Sequence, residues 1–506
     1  MDFAETLEHV FNGFEVAMQW KNVLFLFIGA ILGTLIGIMP GIGTSSGIAL
    51  LLPMTFGMDP IPSLIMLAGI YYGGMYGNTA SAVLINTPGT ASASMTTVDG
   101  YPMAKKGRGG AALAASAIAS FIAGTIGILG LTFLAIPFAE FALRFGPAEY
   151  FMLMFFAMSA VSSLTGRSVP KGLFAAIFGL MLASIGMDLQ TGIPRYVYDI
   201  PELQTGISFL IVIVGAFAVA EILLNVEKWF MGRLEPIKIQ GSLYLTREEW
   251  KRCWRPIVRG GLIGFFIGVL PGAGGTIATV IAYSTEQKLS KYGHEFGTGA
   301  IEGVAAPEAA NNASTCGAFV PLLTLGIPGS GTTAVLLGAF ILFGLEPGAE
   351  LFQTNPELVW GLVDSMYLGN VFLIIMNLPL IGVFVRVLYL PPGILISLIL
   401  SVASIGIYAI HNNTTDLYLL LMFGVLGYVF RKLKIPIPPM ILGIVLGKLM
   451  ENSLRQALII SSGDIKIFFS SSISITLFVL ALAAMILPII ASRLRIGRER
   501  SMGADD

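Results

Sequence analysis

Long apolar blocks alternate with short polar stretches along the whole chain. Blocks able to cross or nearly cross a bilayer lie near 22–39, 63–86, 110–137, 148–165, 170–187 and 204–225. A second series follows near 257–283, 311–345, 362–385, 391–410, 415–430, 435–450 and 472–492. A run of about 20 apolar residues reads as a membrane helix, because only a helix of that length satisfies its own backbone across the hydrocarbon. The pattern predicts an all-α polytopic membrane protein with roughly 11–14 membrane segments. Composition agrees: 55% of residues are hydrophobic and 12% charged, against about 25% charged in a soluble domain, and the mean hydropathy is +0.82.

Two blocks contain sequences poorly suited to an uninterrupted helix. "GIMPGIGTSSG" (37–47) and "GVLPGAGGTIA" (268–278) each place Pro-Gly at bilayer depth. Proline lacks an N–H and disfavours helix at the residue before it, while glycine accepts backbone angles that other residues avoid. The longer alignment of "GTLIGIMPGIGT" with "GFFIGVLPGAGG" sets Pro40 and Pro271 231 residues apart. A second pair, "LINTPGTASAS" (84–94) and "TLGIPGSGTTA" (324–334), sets Pro88 and Pro328 240 residues apart. The chain reads as an internal duplication with broken or re-entrant helices.

Charge placement supplies orientation. Residues 226–256 hold Lys228, Arg233, Lys238, Arg247, Lys251, Arg252 and Arg255, which marks a cytoplasmic loop. Basic clusters at 105–108, 167–171, 431–434 and 493–500 go to the same side. The N-terminus, with Asp2, Glu5, Glu8 and Glu15, goes to the other, so the N-terminus is expected outside and the C-terminus inside. Such an acidic start is also unlike a cleaved leader, so the first apolar block is expected to stay. The two copies then enter the membrane from opposite faces, as inverted repeats do in secondary transporters. The expected division is an N-terminal segment (1–19), a first repeat (20–225), a cytoplasmic linker (226–256), a second repeat (257–450), and a terminal helix with a basic tail (451–506).

Non-helical backbone at membrane depth is tolerated where it is buried in protein or lines a wet cavity. Four such breaks at duplicated positions point to a site. A helix that restarts presents free N–H groups and about half a positive charge to a carboxylate. Opposed carbonyls and hydroxyls suit a hard coupling cation such as Na⁺. The expected substrate-binding residues are Pro40, Gly41, Gly43, Thr44, Ser45, Asn78, Thr79, Pro88, Gly89, Thr90, Gly272, Gly274, Asn311, Asn312, Ser314, Pro328, Gly329 and Ser330. Sodium ligands are expected among Gly41, Thr44, Asn78, Gly272, Thr276 and Asn312. Single amides also serve as helix-to-helix glue, so position decides between the two roles. Glu302 and Glu308 are costly if buried and otherwise edge a vestibule; Glu221 and Asp364 stand outside the expected site.

At these breaks the chain resembles the large membrane subunit of the tripartite tricarboxylate transporters. The likeness is carried by "GIMPGIGTSSGIALLLP", by "YYGGMYGNTASAVLINTPGTASAS" and by "GVLPGAGGTIATVIAYSTEQKLSKYGHEFGTGAIEGVAAPEAANNASTCGAF" with "LGIPGSGTTAVLLGAF" after it. The resemblance implies an inner-membrane carrier that works with a small membrane subunit and a periplasmic solute-binding protein. It also implies an ion gradient, commonly sodium, and substrates such as citrate or other carboxylates. No cofactor and no nucleic acid is implied.

Other chemistries lack their parts. No Walker A sequence is present. "GTSSG" (43–47) fits the hydrolase elbow GxSxG, but the only histidines, His9, His294 and His411, offer no base beside it. "HEFGT" (294–298) lacks the second histidine of HExxH. Cys253 and Cys316 form no redox or metal spacing. A passive anion channel would also use broken helices, and a scaffold subunit would tolerate loss of Asn78 or Asn312; flux separates these from a carrier.

Overall fold

A computed structural model of the chain describes residues 3–39, 43–164, 168–188, 191–230, 239–389 and 392–502. In chain order the helices are α1 (Phe3–Ala17), α2 (Trp20–Ile38), α3 (Thr44–Leu51), α4 (Pro60–Ile85), α5 (Ser94–Lys105), α6 (Gly109–Ala142), α7 (Pro147–Leu164), α8 (Val169–Ala183), α9 (Phe209–Ile213), α10 (Ala220–Phe230), α11 (Arg247–Val269), α12 (Gly274–Leu289), α13 (Glu302–Leu325), α14 (Gly331–Leu342), α15 (Leu351–Thr354), α16 (Pro356–Asn377), α17 (Ile381–Phe384), α18 (Pro392–His411), α19 (Thr414–Lys432), α20 (Ile437–Ile460) and α21 (Ser472–Met502). A ribbon of two short strands, Gly186–Met187 and Pro194–Arg195, is the sheet among the described residues. The protein is all-α and polytopic.

Five stretches among the described residues are both long and apolar enough to cross a membrane: Trp20–Ile38, Gly109–Ala142, Phe209–Glu227, Pro356–Asn377 and Thr414–Lys432. Shorter apolar helices, such as Val169–Ala183 and Gly331–Leu342, accompany them. The long helices α4 and α13 are not among the five because tyrosine, asparagine, threonine and glutamate interrupt their apolar sequence. Almost every residue of both is buried, so those polar groups face protein. Large apolar side chains such as Phe27, Phe133, Phe266 and Ile375 lie exposed instead, as a lipid-facing surface requires.

Contacts gather the chain into two compact units, one of Met1–Leu143 with Ile213–Tyr428, the other of Arg144–Val212 with Val429–Asp506. Two glycine seams organise the first unit. In α2, Gly29, Gly33 and Gly37 lie against α4 so closely that a Cβ at each would fall 2.2, 2.3 and 2.3 Å from the carbonyl oxygens of Met66, Ile70 and Gly74. In α11, Gly260, Gly264 and Gly268 do the same against Ala306, Ala310 and Ser314 of α13, at 2.4, 2.4 and 2.3 Å. Both seams advance in register, so α2 runs parallel to α4 and α11 parallel to α13. The first seam maps onto the second by the offsets 231 and 240 that relate the prolines.

Parallel neighbours joined by so few residues require the chain to turn back between them. The descending segment is α3 with the 3-10 turn Leu52–Thr55 in one case and α12 in the other. α11 itself starts inside the stretch expected to be linker, where a capping box joins Thr246 and Glu249 (Glu249 N to Thr246 Oγ1, 3.2 Å; Thr246 N to Glu249 Oε2, 2.8 Å).

α4 and α13 pass each other in opposite senses: Tyr72 stacks on Phe319 at 6.1 Å, the Tyr72 hydroxyl lies 3.7 Å from Cys316 Sγ, and Asn311 Nδ2 reaches Met75 O at 3.5 Å. α6 and α16 close around them through Asn370. Its Oδ1 accepts from Tyr76 of α4 at 2.5 Å, and its Nδ2 donates to Phe121 O and Thr125 Oγ1 of α6 at 2.8 and 3.0 Å.

The second unit packs α8 on α20 through Gly179, whose Cβ would fall 2.1 Å from Met440 O, and Gly443, 2.4 Å from Ala176 O. At one end Asp188, Arg195, Glu451 and Arg455 form an ion-pair network.

Candidate substrate and ion site

The break of the second copy is a turn whose conformation depends on glycine. Gly272 and Gly274 have φ of +78° and +55°, angles that glycine alone adopts without strain. Between them and the second Pro-Gly, Gly272 N donates to Gly329 O at 3.1 Å. α14 then restarts on a reciprocal cap, with Ser330 Oγ accepting from Thr333 N at 3.2 Å and Thr333 Oγ1 accepting from Ser330 N at 2.8 Å. Pro40 and Gly41 lie outside the described residues; the first break resumes at Gly43, the N-cap of α3.

The breaks of the two copies meet. Thr44 Oγ1 lies 3.2 Å from Thr332 Oγ1, and Ser45 Oγ lies 2.9 Å from the same atom. The Tyr71 hydroxyl on α4 lies 3.1 Å from Ser330 Oγ. A Cβ on Gly275 would approach Ser92 Cβ, Asn311 Oδ1 and Ser314 Oγ at 3.0, 3.2 and 3.2 Å, and one on Gly274 would approach Ser330 Cβ at 3.6 Å. The Thr44–Thr332 and Gly275–Ser92 contacts are counterparts under the offsets 231 and 240. Ser46 donates to Phe217 O at 3.4 Å within the π-turn Val214–Val219, a distortion often found at functional sites.

Asn78 holds the loop after Pro88 and Gly89. Its Nδ2 donates to Thr90 Oγ1 at 2.7 Å, Thr90 lies 2.9 Å from Ser92 Oγ, and Gly89 sits against Gly37 O and Asn78 Cβ. Asn78 Oδ1 and Asn311 Oδ1 are buried without a hydrogen-bond partner. Two expected residues turn elsewhere. Thr79 accepts from Ser116 of α6 at 2.9 Å and lines a water-sized cavity with Tyr76, Ser116 and Asn377, and Asn312 donates to Ser120 of α6 at 2.6 Å. Thr276 is exposed, whereas Pro328 and Gly329 are buried. Tyr71 and Gly275 were not among the expected residues; a hydroxyl in the glycine-rich "YYGGMYGN" and the glycine after Gly274 were the available signals.

Glu302 is explained by a partner. Arg252 Nε and Nη2 donate to its two oxygens at 2.7 Å each, and the same guanidinium reaches Glu295 at 2.7 Å. Glu308 has no such partner among the described residues; it accepts from Thr96 Oγ1 through Oε1, and Oε2 is unpaired.

Duplicated, interrupted helices that bring hydroxyls, amides and glycine turns to one buried polar centre define a polytopic membrane protein of the transporter kind. The chain belongs to the tripartite tricarboxylate transporter TctA family, whose model matches residues 23–442. That family is one of transporters, not enzymes, and its members work in tripartite systems. The chain is 44% identical over 480 residues, 95% of each sequence, to an uncharacterized 52.8 kDa protein in the TAR-I ttuC' 3' region of Agrobacterium vitis. It is 46% identical over 243 residues to an uncharacterized protein in the TAR-II ttuC' 3' region of the same organism, covering 48% of this chain and all of that one. No solved structure matches.

Proposed function

We propose that the chain is the large translocating subunit of a binding-protein-dependent carrier that couples uptake of citrate or a related carboxylate to a sodium gradient. The observation that carries this reading is the meeting of Thr44 and Ser45, where α3 restarts, with Thr332, where α14 restarts. Helix starts aimed at one buried polar centre supply N–H groups and partial positive charge to a carboxylate, with no side-chain cation needed. Gly43, Thr44, Ser45, Ser330 and the amides of Asn78 and Asn311 are its contacts, and the neighbouring carbonyls and hydroxyls at Thr44, Gly272 and Asn78 suit the sodium ion.

The matched glycine seams and the opposed run of α4 and α13 support two inverted repeats, 20–225 and 257–450, that move against each other around this centre. The protein sits in the bacterial inner membrane with its N-terminus periplasmic, and a small membrane subunit and a periplasmic solute-binding protein complete it. Basic residues at 226–256 support that orientation.

The test is uptake of labelled citrate and a panel of dicarboxylates in bacteria lacking their own carriers, with sodium present or replaced and the two partner subunits added or omitted. Sodium-dependent accumulation only with both partners is the expected result. Flux that only equilibrates the gradient, regardless of sodium, would make the protein a channel.

A further inference from the structure

Three acids cluster along α5 and the first turns of α13, and two of them are fully accounted for. Glu302 has Arg252. Asp99, buried on α5, accepts from the backbone N–H of Gly297, Gly299 and Ala300 through Oδ1 and from the Tyr283 hydroxyl through Oδ2. Glu308 is the third. It is completely buried, lies against the first turn of α5 through Thr96, and leaves Oε2 with no donor.

The surroundings of Glu308 are oxygen-rich. Thr79, Ser116 and Asn311 are polar neighbours of its carboxyl group that stop short of ordinary hydrogen-bond geometry to Oε2. Asn311, one turn further along α13, also leaves its Oδ1 unpaired. Two buried acceptors without donors on adjacent turns of one helix are a poor solution for packing alone, since an unsatisfied buried acceptor is destabilising. They are a good solution for a cation. One carboxylate with neutral oxygens cancels a single positive charge, whereas a divalent ion would be left half-neutralised. Asn311 Oδ1 also lies 3.2 Å from where a Cβ on Gly275 would stand, so the same amide oxygen stands against the second break.

We infer that Glu308 anchors a monovalent cation site, taking Na⁺ between its Oε2, the Asn311 amide oxygen and the hydroxyls of Thr79 and Thr96. This site rests on the carrier reading but differs from the break residues in having a formal charge. Filling it neutralises the buried carboxylate and fixes Asn311 against Gly275, which ties ion binding to the geometry of the second break.

The experiment is thermal unfolding of the purified full-length chain, without substrate, in NaCl against choline chloride at constant ionic strength and pH 7.5. Na⁺ should raise the wild-type midpoint saturably, and Glu308→Gln should weaken apparent Na⁺ affinity at least tenfold, leaving only the response of the uncharged oxygens at the breaks. Asn311→Ala, which keeps the carboxylate, should weaken it several-fold, and Glu350→Gln should leave it unchanged. Should Glu308→Gln fail to fold, Asn311→Ala and Thr96→Val carry the comparison. A wild-type response to Na⁺ that Glu308→Gln retains at undiminished affinity would overturn the site. So would a wild-type midpoint insensitive to Na⁺, including one that responds to pH between 6 and 8 in its place. Uptake in proteoliposomes containing the partner subunits separates the two readings: Na⁺ binding without accumulation removes the carrier and keeps the site, and Na⁺-driven uptake by Glu308→Gln does the reverse.

Discussion

Thr44 and Thr332 are 288 positions apart and their hydroxyls meet at 3.2 Å, with Ser45 closing on the same Thr332 oxygen at 2.9 Å. Thr332→Val keeps the shape and removes both hydrogen bonds. A buried neutral hydrogen bond contributes about 1 kcal/mol, so packing alone predicts a modest fall in thermal midpoint. If these hydroxyls also serve the substrate, uptake per molecule of protein should fall at least tenfold while abundance stays near wild type. Thr44→Val, which leaves Ser45 in place, should fall less. Uptake normalised to protein in the membrane is the measurement, and normal uptake by Thr332→Val would take this contact out of the translocation site.

The glycine seams predict a different failure. A Cβ on Gly33 or Gly264 would sit 2.3 or 2.4 Å from a helix backbone carbonyl, which is not free to swing away as a side-chain tip is. Overpacking of this kind costs about 1–3 kcal/mol. Gly33→Ala and Gly264→Ala should each lower the thermal midpoint and the yield of folded protein, by similar amounts because the seams are equivalent. Gly382→Ala, with open space around it, is the control. Equal midpoints for all three would mean that the helices part easily.

Much of this was legible in sequence. Apolar block length and low charge predicted a polytopic helical protein, and Pro271 and Pro328 fall between helices as their chemistry dictates. The duplication offsets, found from prolines, recur in the seams because glycine spacing sets where helices touch; the repeated GxxxGxxxG of 29–37 and 260–268 was the unused signal. Facing direction was not legible. Asn311 and Asn312 are neighbours in sequence, yet a helix turns about 100° between them, sending one toward Gly275 and the other toward Ser120. Nor does sequence separate Glu302 from Glu308, because the Arg252 that pairs with the first lies 50 residues away.

Asp99 predicts a positional effect without substrate chemistry. Its Oδ1 gathers the N–H groups of Gly297, Gly299 and Ala300 at 2.8, 2.8 and 2.9 Å, and two of these residues have φ of +86° and +114°, so the loop is shaped around the carboxylate. Hydrogen bonds to a charged acceptor contribute about 1.5–3 kcal/mol each. Asp99→Ala should therefore destabilise by about 3 kcal/mol or more and accelerate amide exchange at 297–300. Asp99→Asn retains an oxygen for the loop and should recover part of that loss. Unchanged exchange in Asp99→Ala would show that the loop holds its shape alone.

Glu451 gives the second unit a pH dependence whose sign is fixed. Its oxygens accept from Arg195 Nη1 and Nη2 at 2.9 and 3.2 Å and from Arg455 Nη2 at 2.6 Å. The hydrogen bonds from Arg195, opposed by burial and aided by both guanidinium charges, hold its pKa below the ordinary 4.5. A carboxylate whose folded pKa is depressed contributes stability that is fully present above its unfolded pKa. The contribution is lost as pH falls through the lower, folded value. Amide exchange over 184–208, where Asp188 and Arg195 lie, should thus be constant from pH 8 to about 5, after correction for intrinsic rates, and rise below the ordinary glutamate range. Because the pair is partly exposed, the effect should be small and weaken in high salt. Glu451→Gln should show the loosened exchange at every pH, and a variant whose profile matches wild type would remove Glu451 as the source of the acid sensitivity.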